Sequence, residues 1–597
     1  MNLVALVKKH GSVKAVAKIH NIPYSTLKNR YRTLVRNGKA PSVAPPRYSH
    51  EDLRAIAEDV NNGRSWENIA TAWAVSRDVV RRLVDRAKKA GYIDNEKPEG
   101  KSREDVKRIV KAGKVKALQP KAITKERKRV RRYLFTSAQN DTQVHEGFWN
   151  NLLAFKEFMN AELHVARYTY VKQGLGAKGD KKQLKPAKAG EGKGEMIWDH
   201  RLDPYLSDER LRVAEGLVWC GEMNILPTAS RPLSGLEVYT GRDSAIFPHS
   251  KLAMECVASN KNEPTKINYT TGACTLRNYI HRKAGLKAEF HHAFSALIVE
   301  VDENEDWFVR QLNATDDGAF QDLDVIVKGG EISEGNHVLA INFGDDHVKI
   351  MDPTVRKVHF APNGMVDTLY PRYKFHHDVL DFRGRSHHEM KDPHTMFKRY
   401  VTGEENVRKE VWETAQFLQE ESYRDWCQTI IVDSNHHHHL GRWLKEANGM
   451  RDPVNAEFWT AMQARVLSNI RRGVSVNYLK ESFLEVGGVI LQGMYFLNQD
   501  ESFILKGIEF GLHGDLGAGG SRGNPLTFAR MGRRMNIGHH HGKAGIYDGV
   551  YVAGTSSVIM PDWTAGPDSW TQSDIITYPN GKRTIVTIWN GKWRVPR

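Results

Sequence analysis

The 597-residue chain carries 87 Lys+Arg against 71 Asp+Glu and four cysteines, Cys220, Cys256, Cys274 and Cys427, none in C-x-x-C spacing. That length implies roughly three or four domains, and the cysteine pattern excludes a zinc ribbon and a disulfide framework. No apolar run is long enough for a membrane span and the N-terminus lacks the order of a secretory signal, so a cytoplasmic protein is expected.

The charge is unevenly placed. Residues 1–132 hold 33 Lys+Arg against 13 Asp+Glu, a net of +20, while the rest of the chain holds 54 against 58. Concentrated positive charge attracts a polyanion by releasing its counterions, and nucleic acid is the commonest such partner; a solubilising arm is the plainer alternative. Within 1–45, SVKAVAKIHNIPYSTLKNRYRTL predicts two short helices joined at HNIP, the second carrying Lys28, Arg30 and Arg32. This is the pattern of a helix-turn-helix whose second helix enters the major groove of DNA. It recurs over 46–93: SHEDLRAIAEDVNNG gives a leading helix, and SWENIATAWAVSRDVVRRLVDRAKKAGYI a helix pair with Ser76 as N-cap and Arg77, Arg81, Arg82 and Arg86 on the following helix. Two tandem matches in the most basic segment favour DNA binding over a bland helical bundle. Residues 94–132, ending KERKRVRR, form a basic linker.

Over 133–335 the texture changes to an α/β domain. YLFTSAQ predicts a strand, EGFWNNLLAFKEFMNA an amphipathic helix, and ELHVARYTYV, SALIVEVD and LDVIVKGG further strands. The Lys/Gly-rich run QGLGAKGDKKQLKPAKAGEGKGE lacks Walker spacing and is no ATP site. Ser137, Gln139, His145 and the run TTGACT around Cys274 are candidates for a site, with ordinary structural roles the favoured reading, and no role is assigned to this domain.

From residue 336 five strand ends deliver polar side chains in series. VLAINFGDDH brings Asp345 and His347, YKFHHDVLD brings Asp378 with Asp381 three residues on, QTIIVDSNHH brings Asn435 and His436, GIEFGLHGD brings His513, and RRMNIGHHH brings His539 and His541. Side chains at the carboxyl ends of parallel strands converge in one crevice. Carboxylates, imidazoles and an amide suit two divalent ions, which a shared carboxylate bridges at about 3.5–4 Å with a hydroxide placed for in-line attack on phosphorus. GVYVAGTSSVIM and TIVTIWNGKWRV, with the hairpin signals PNGK and WNGK, complete a layered sheet structure.

Together these segments resemble the calcineurin-like metallophosphoesterase superfamily, whose pattern is D-x-H, G-D-x-x-D, G-N-H-D/E, H and G-H-x-H. Two departures occur: His377 stands in place of the glycine of the second motif, and Ser434 and His437 in place of the glycine and acid of the third. The resemblance implies a four-layer α/β/β/α domain over 336–597. It also implies that Asp345, His347 and His541 hold one metal and Asn435, His513 and His539 the other, with Asp378 bridging them. His436 would protonate the leaving oxygen or stabilise the pentavalent phosphorus. The metals would be manganese, with magnesium, iron or zinc as alternatives. The whole arrangement, with TSAQ and HEGFW, also resembles the pre-early DNA-transfer nucleases of large tailed phages, which implies a deoxyribonuclease acting on host DNA, or in DNA transfer, in the host cytoplasm. A phosphatase or small-molecule phosphodiesterase, and a DNA-binding regulator with an inactive phosphoesterase domain, are the rival readings. Oligomeric state is left open, a homo-oligomer included.

Overall fold

The structure is a computed structural model describing residues 2–10, 13–40, 49–62, 66–73, 75, 77–93, 121–122, 129–170, 196–261, 263–559, 561 and 564–597. Ser76, most of the expected linker and the Lys/Gly-rich run lie outside the described residues. The chain divides into two compact units, Met1–Ala117 and Leu118–Arg597.

In the first unit, helices α1 (Leu3–His10), α2 (Val13–Ile19) and α3 (Tyr24–Arg36) enclose Leu3, Val7, Val16, Ala17, Leu27 and Tyr31. Leu27 and Tyr31 are four residues apart and share one face of α3, so Arg30 and Arg32 fall on the exposed side. A second set, α4 (His50–Asn61), α5 (Trp66–Ala72) and α6 (Arg77–Lys89), closes over Leu53, Ile56, Ile69, Val80, Leu83 and Ala87. The Ser49 side chain caps α4 by accepting from Asp52 N–H, while Asp52 accepts from Ser49 N–H, a reciprocal capping box. Arg81, Arg82 and Arg86 are exposed on α6, whereas Lys28 is half-buried on α3.

In the second unit, strands β1 (Lys121–Ala122), β2 (Arg131–Gln139), β3 (Glu162–Tyr168), β4 (Arg210–Ala214) and β5 (Leu217–Cys220) come first. They are followed by β6 (Ser244–Phe247), β7 (Met254–Val257), β8 (Lys266–Thr270), β9 (Ser295–Val301) and β10 (Trp307–Asn313). A small ribbon, β11 (Phe320–Asp322), β12 (Val325–Lys328) and β13 (Glu331–Ser333), leads to β14 (Ala340–Asn342), β15 (Tyr373–His376), β16 (Gln428–Ile431) and β17 (Met494–Phe496). The chain closes with β18 (Ile504–Leu505), β19 (Ile508–Glu509), β20 (Arg534–Ile537), β21 (Gly545–Tyr547), β22 (Val550–Val552), β23 (Ser573–Thr577) and β24 (Arg583–Thr587).

Three large sheets result. The first has eleven strands in the order β1-β4-β5-β6-β8-β7-β21-β22-β20-β19-β18, the second four, β10-β9-β2-β3, and the third six, β17-β16-β15-β14-β23-β24. Strand alternation sorts the cores. Ile341, Phe343 and Ile431 of the six-stranded region pack under helices, against Val355, Val411, Leu440, Trp443 and Met462. The opposite face of that sheet, Phe375 and Ile430, meets Ile508 and Phe510 of the eleven-stranded sheet. The four-stranded sheet is likewise sandwiched. Leu134, Leu163 and Ile298 face the helix Glu146–Phe158, while Phe135, Leu297 and Val299 face Trp219, Ile246 and Tyr269.

One expectation needs correction. The boundary expected at 335/336 does not separate compact bodies, because β7 pairs antiparallel with β21 (Ile546 opposite Met254), so one continuous sheet spans both segments. The free face of that sheet is covered largely by loops. Among the described residues, Val218, Ala245 and Phe247 are covered by loop residues Met223, Ile225 and Leu236, and Met535, Ile537 and Val550 by the four-residue helix Pro525–Phe528. The covering segments are rich in Gly and Pro, which disfavour longer helices. No helix among the described residues is long and apolar enough to cross a membrane, and all four cysteines are free thiols.

Candidate metal centre

The site is assembled at the carboxyl ends of β14, β15, β16, β19 and β20. Parallel pairing of β14 with β15 and of β15 with β16 brings three chain crossings to one edge of the six-stranded sheet, and β19 and β20 pair in parallel across the crevice. The loops leaving these strands are tightly constrained. His347, Asp378 and His539 adopt left-handed φ of 42°, 46° and 64°, a conformation unfavourable for residues with a side chain and characteristic of functional sites. Gly538 is required by close approach, since a Cβ there would lie 2.1 Å from Asp345 Oδ1.

Asp345, His347, Asp378 and His541 present donor atoms that all lie within 4.8 Å of one another, and so do Asp345, His377 and His513. Asp345 Oδ2 accepts from His541 Nε2 at 2.7 Å and from the His539 backbone N–H at 2.8 Å. Asn435, the first residue of the helix Asn435–Glu446, places Oδ1 3.1 Å from His513 Nε2, which is itself 3.2 Å from Asp378 Oδ2. Six of the seven sequence-predicted ligands thus meet through side-chain donor atoms, whereas the His539 ring lies beside His513, centroids 5.1 Å apart, and joins none of the donor groups.

Electrostatics point the same way. Burial alone would raise Asp378 and Asp345, yet His513 and neighbouring imidazoles outweigh it and hold both carboxyls well below the usual range. Burial likewise opposes charge on His513, but Asp378 and Asp345 push its pKa up to about 9. His539 goes the other way, lowered by burial to about 4. Asp345 Oδ1, Asp378 Oδ1 and His347 Nε2 are buried without a hydrogen bond. Buried polar atoms are normally paired, so this donor set, two carboxylate oxygens and an imidazole, fits a divalent cation.

His436 sits differently. Its Nδ1 lies 3.1 Å from Asp381, whose Oδ1 also faces His347 Nδ1 at 3.0 Å. Against its partial burial, Asp378 and Asp381 raise the His436 pKa to about 10. Asp381 thus positions one expected ligand and the expected acid together, a role the sequence reading did not give it. The only available signal was its place three residues after Asp378, which marks the motif and not the contact.

The departures from the superfamily pattern have local explanations. Ser434 has an ordinary extended φ of −150°, so no glycine is needed there. His377 stacks on His513 with ring centroids 5.5 Å apart and Nδ1 atoms 3.3 Å apart. The remaining histidines of the run also have distinct surroundings. His437 is buried, His438 pairs with Asp433 at 2.6 Å, and His439 joins His387 and His388 in a separate imidazole group. Beside the centre, Arg522, Lys543, His539, His541 and Trp570 line a cleft of about 750 Å³. Of the expected DNA-binding residues, Arg30, Arg32, Arg81, Arg82 and Arg86 are exposed in the first unit, while the Arg77 side chain lies outside the described residues.

The chain is 38% identical over 480 residues to Protein A1 of Escherichia phage T5, a stretch covering 78% of this chain and 84% of that one. No family model and no solved structure matches.

Proposed function

This chain belongs to the family of Protein A1 of Escherichia phage T5, and from that kinship and the donor cluster we propose that it is a phage deoxyribonuclease that hydrolyses phosphodiester bonds with two divalent metal ions. The observation that carries the reading is the set of buried, unpaired donor atoms on Asp345, His347 and Asp378 at converging strand ends. Asp345, His347 and His541 would hold one ion, Asn435, His513 and His539 the other, and Asp378 both. Manganese suits this mixture of oxygen and imidazole donors, with magnesium, iron and zinc as alternatives. Once bound, such ions supply Lewis acidity and an activated water nucleophile.

The chain's own residues account for the rest. His436 Nδ1 is engaged by Asp381, so Nε2 is the atom that holds a proton for the leaving 3′ or 5′ oxygen. Trp570 and the cations Arg522 and Lys543 in the adjoining cleft suit a nucleotide chain, whose bases stack and whose phosphates are anionic. The exposed arginines of α3 and α6 supply general attraction to duplex DNA. The intact donor set argues against an inactive regulator.

The test is incubation of the purified chain with plasmid and linear DNA in manganese, magnesium, zinc or chelator. Cleavage that requires metal supports the reading. Hydrolysis of phosphomonoesters with DNA left whole would instead make the protein a phosphatase, and chelator-resistant cleavage would remove the metal centre from the mechanism.

A further inference from the structure

Leaving aside β1, which extends one edge beside β4, the remaining ten strands of the eleven-stranded sheet form two sets of five whose order reads the same from either end. From one end, β4 pairs antiparallel with β5, β5 parallel with β6, β6 parallel with β8 and β8 antiparallel with β7. From the other, β18 pairs antiparallel with β19, β19 parallel with β20, β20 parallel with β22 and β22 antiparallel with β21. The facing sheets repeat the correspondence. β2 runs parallel to β3 and antiparallel to the β9–β10 hairpin, as β14 runs parallel to β15 and antiparallel to the β23–β24 hairpin. The order along the chain is also the same. The two sets meet where β7 pairs with β21 and where the Gln311 side chain of β10 accepts from Thr584 Oγ1 and Ile585 N–H of β24.

We infer that residues 131–313 are a second copy of the phosphoesterase lobe whose metal ligands have been replaced, so that each chain is an internal pair of lobes with a single metal centre. The inference rests on the metal-centre reading above and extends it to the segment that had no role.

Loop hydrogen bonds fix the correspondence residue by residue. Cys274 N–H donates to Ser137 O at 2.9 Å and His145 N–H to Cys274 O at 2.8 Å; Ser556 N–H donates to Asp345 O at 2.8 Å and Asp352 N–H to Ser556 O at 2.9 Å. Ser137 therefore stands where Asp345 stands, and Gln139 where His347 stands. Ala166 lies opposite Ser137 in β3, as Asp378 lies opposite Asp345 when the pairing of Asn342 with Phe375 is continued. Matching Phe247 with Ile537, each paired to the residue two before a glycine, Gly272 or Gly554, equates His249 with His539 and Lys251 with His541. Continuing from Val218 and Glu509 equates Glu222 with His513.

This set cannot hold the ions. Ala166 has no donor, and Lys251 puts a cation at a ligand position, bonded to Ser230 O and paired with Asp548. Both nitrogens of His249 are used, Nδ1 by Lys251 N–H and Nε2 by Leu226 O, and Glu222 is bonded to Arg210 and Tyr239. Among the described residues, every group of side chains able to hold a metal lies in the other copy. What the first copy retains is its pairing: it covers β21 and β24, which would otherwise be open strand edges.

The test is metal content of the full chain by mass spectrometry after manganese loading and desalting, with circular dichroism melts as the check on folding. Two ions per chain, lost in Asp345→Asn but kept in His249→Ala and in Glu222→Gln, is the expected result. Four ions per chain, or ions lost from either first-copy variant while its melt is unchanged, would overturn the inference and leave the proposed nuclease centre standing. Ions unaffected by Asp345→Asn would overturn the metal-centre reading, and this inference with it.

Discussion

Replacing His436 by alanine separates a proton donor from a metal ligand within one loop. The side chain is about a quarter exposed, and its Nδ1 is taken by Asp381, so its removal leaves every proposed ligand in place. Asp378 and Asp381 push its pKa up, which favours the protonated form from which an acid starts. Loss of such a group costs about 10²–10⁴ in rate, equivalent to about 3–5 kcal/mol of transition-state stabilisation. Turnover of DNA should fall by that factor while metal content stays at the wild-type value. Bis(p-nitrophenyl) phosphate, whose leaving group departs without a proton, should be hydrolysed within about tenfold of wild type. Equal losses on both substrates would refute the proton-donor role, and loss of metal would move His436 among the ligands.

Further outcomes follow from other parts of the molecule. Asp378→Ala should bind fewer ions and lose DNA hydrolysis altogether, checked by metal analysis beside a cleavage assay; full occupancy with full activity would contradict the bridging assignment. Deleting residues 1–117 removes 26 Lys+Arg against 12 Asp+Glu, so DNA affinity and its dependence on salt should both drop while hydrolysis of the small diester persists; an unchanged salt slope would assign the basic unit elsewhere. His249, lowered by burial from 6.5 to about 4, contributes stability present above pH 6.5 and lost as pH falls toward 4, about 3 kcal/mol across that window. Denaturant midpoints for His249→Gln should accordingly lose part of their pH dependence between 6.5 and 4, and an identical profile would show that the imidazole is not responsible.

The strands that carry the proposed ligands were legible because each couples a short apolar run to a polar residue at its end, as in VLAINFGDDH and QTIIVDSNHH. Helix pairs in the basic segment were legible from apolar spacing around breaks such as HNIP. Contacts between distant segments were not. Asp381 meets His347 and His436 across a folded crevice, and β7 joins β21 through backbone groups that have no side-chain signature. The kinship between the two lobes was hidden for a chemical reason. Once Asp, His and Asp give way to Ser137, Gln139 and Ala166, nothing in the residues signals metal binding, and only the hydrogen-bond ladder preserves the pattern. The middle segment therefore read as an α/β domain of its own.

The most direct measurement is a manganese titration of chelator-stripped protein, followed by cleavage of a linear DNA duplex. The account predicts no cleavage before metal is added, a rise with each equivalent, and saturation at two per chain. Cleavage by the stripped protein, or none at any manganese level while phosphomonoesters are hydrolysed, would contradict it.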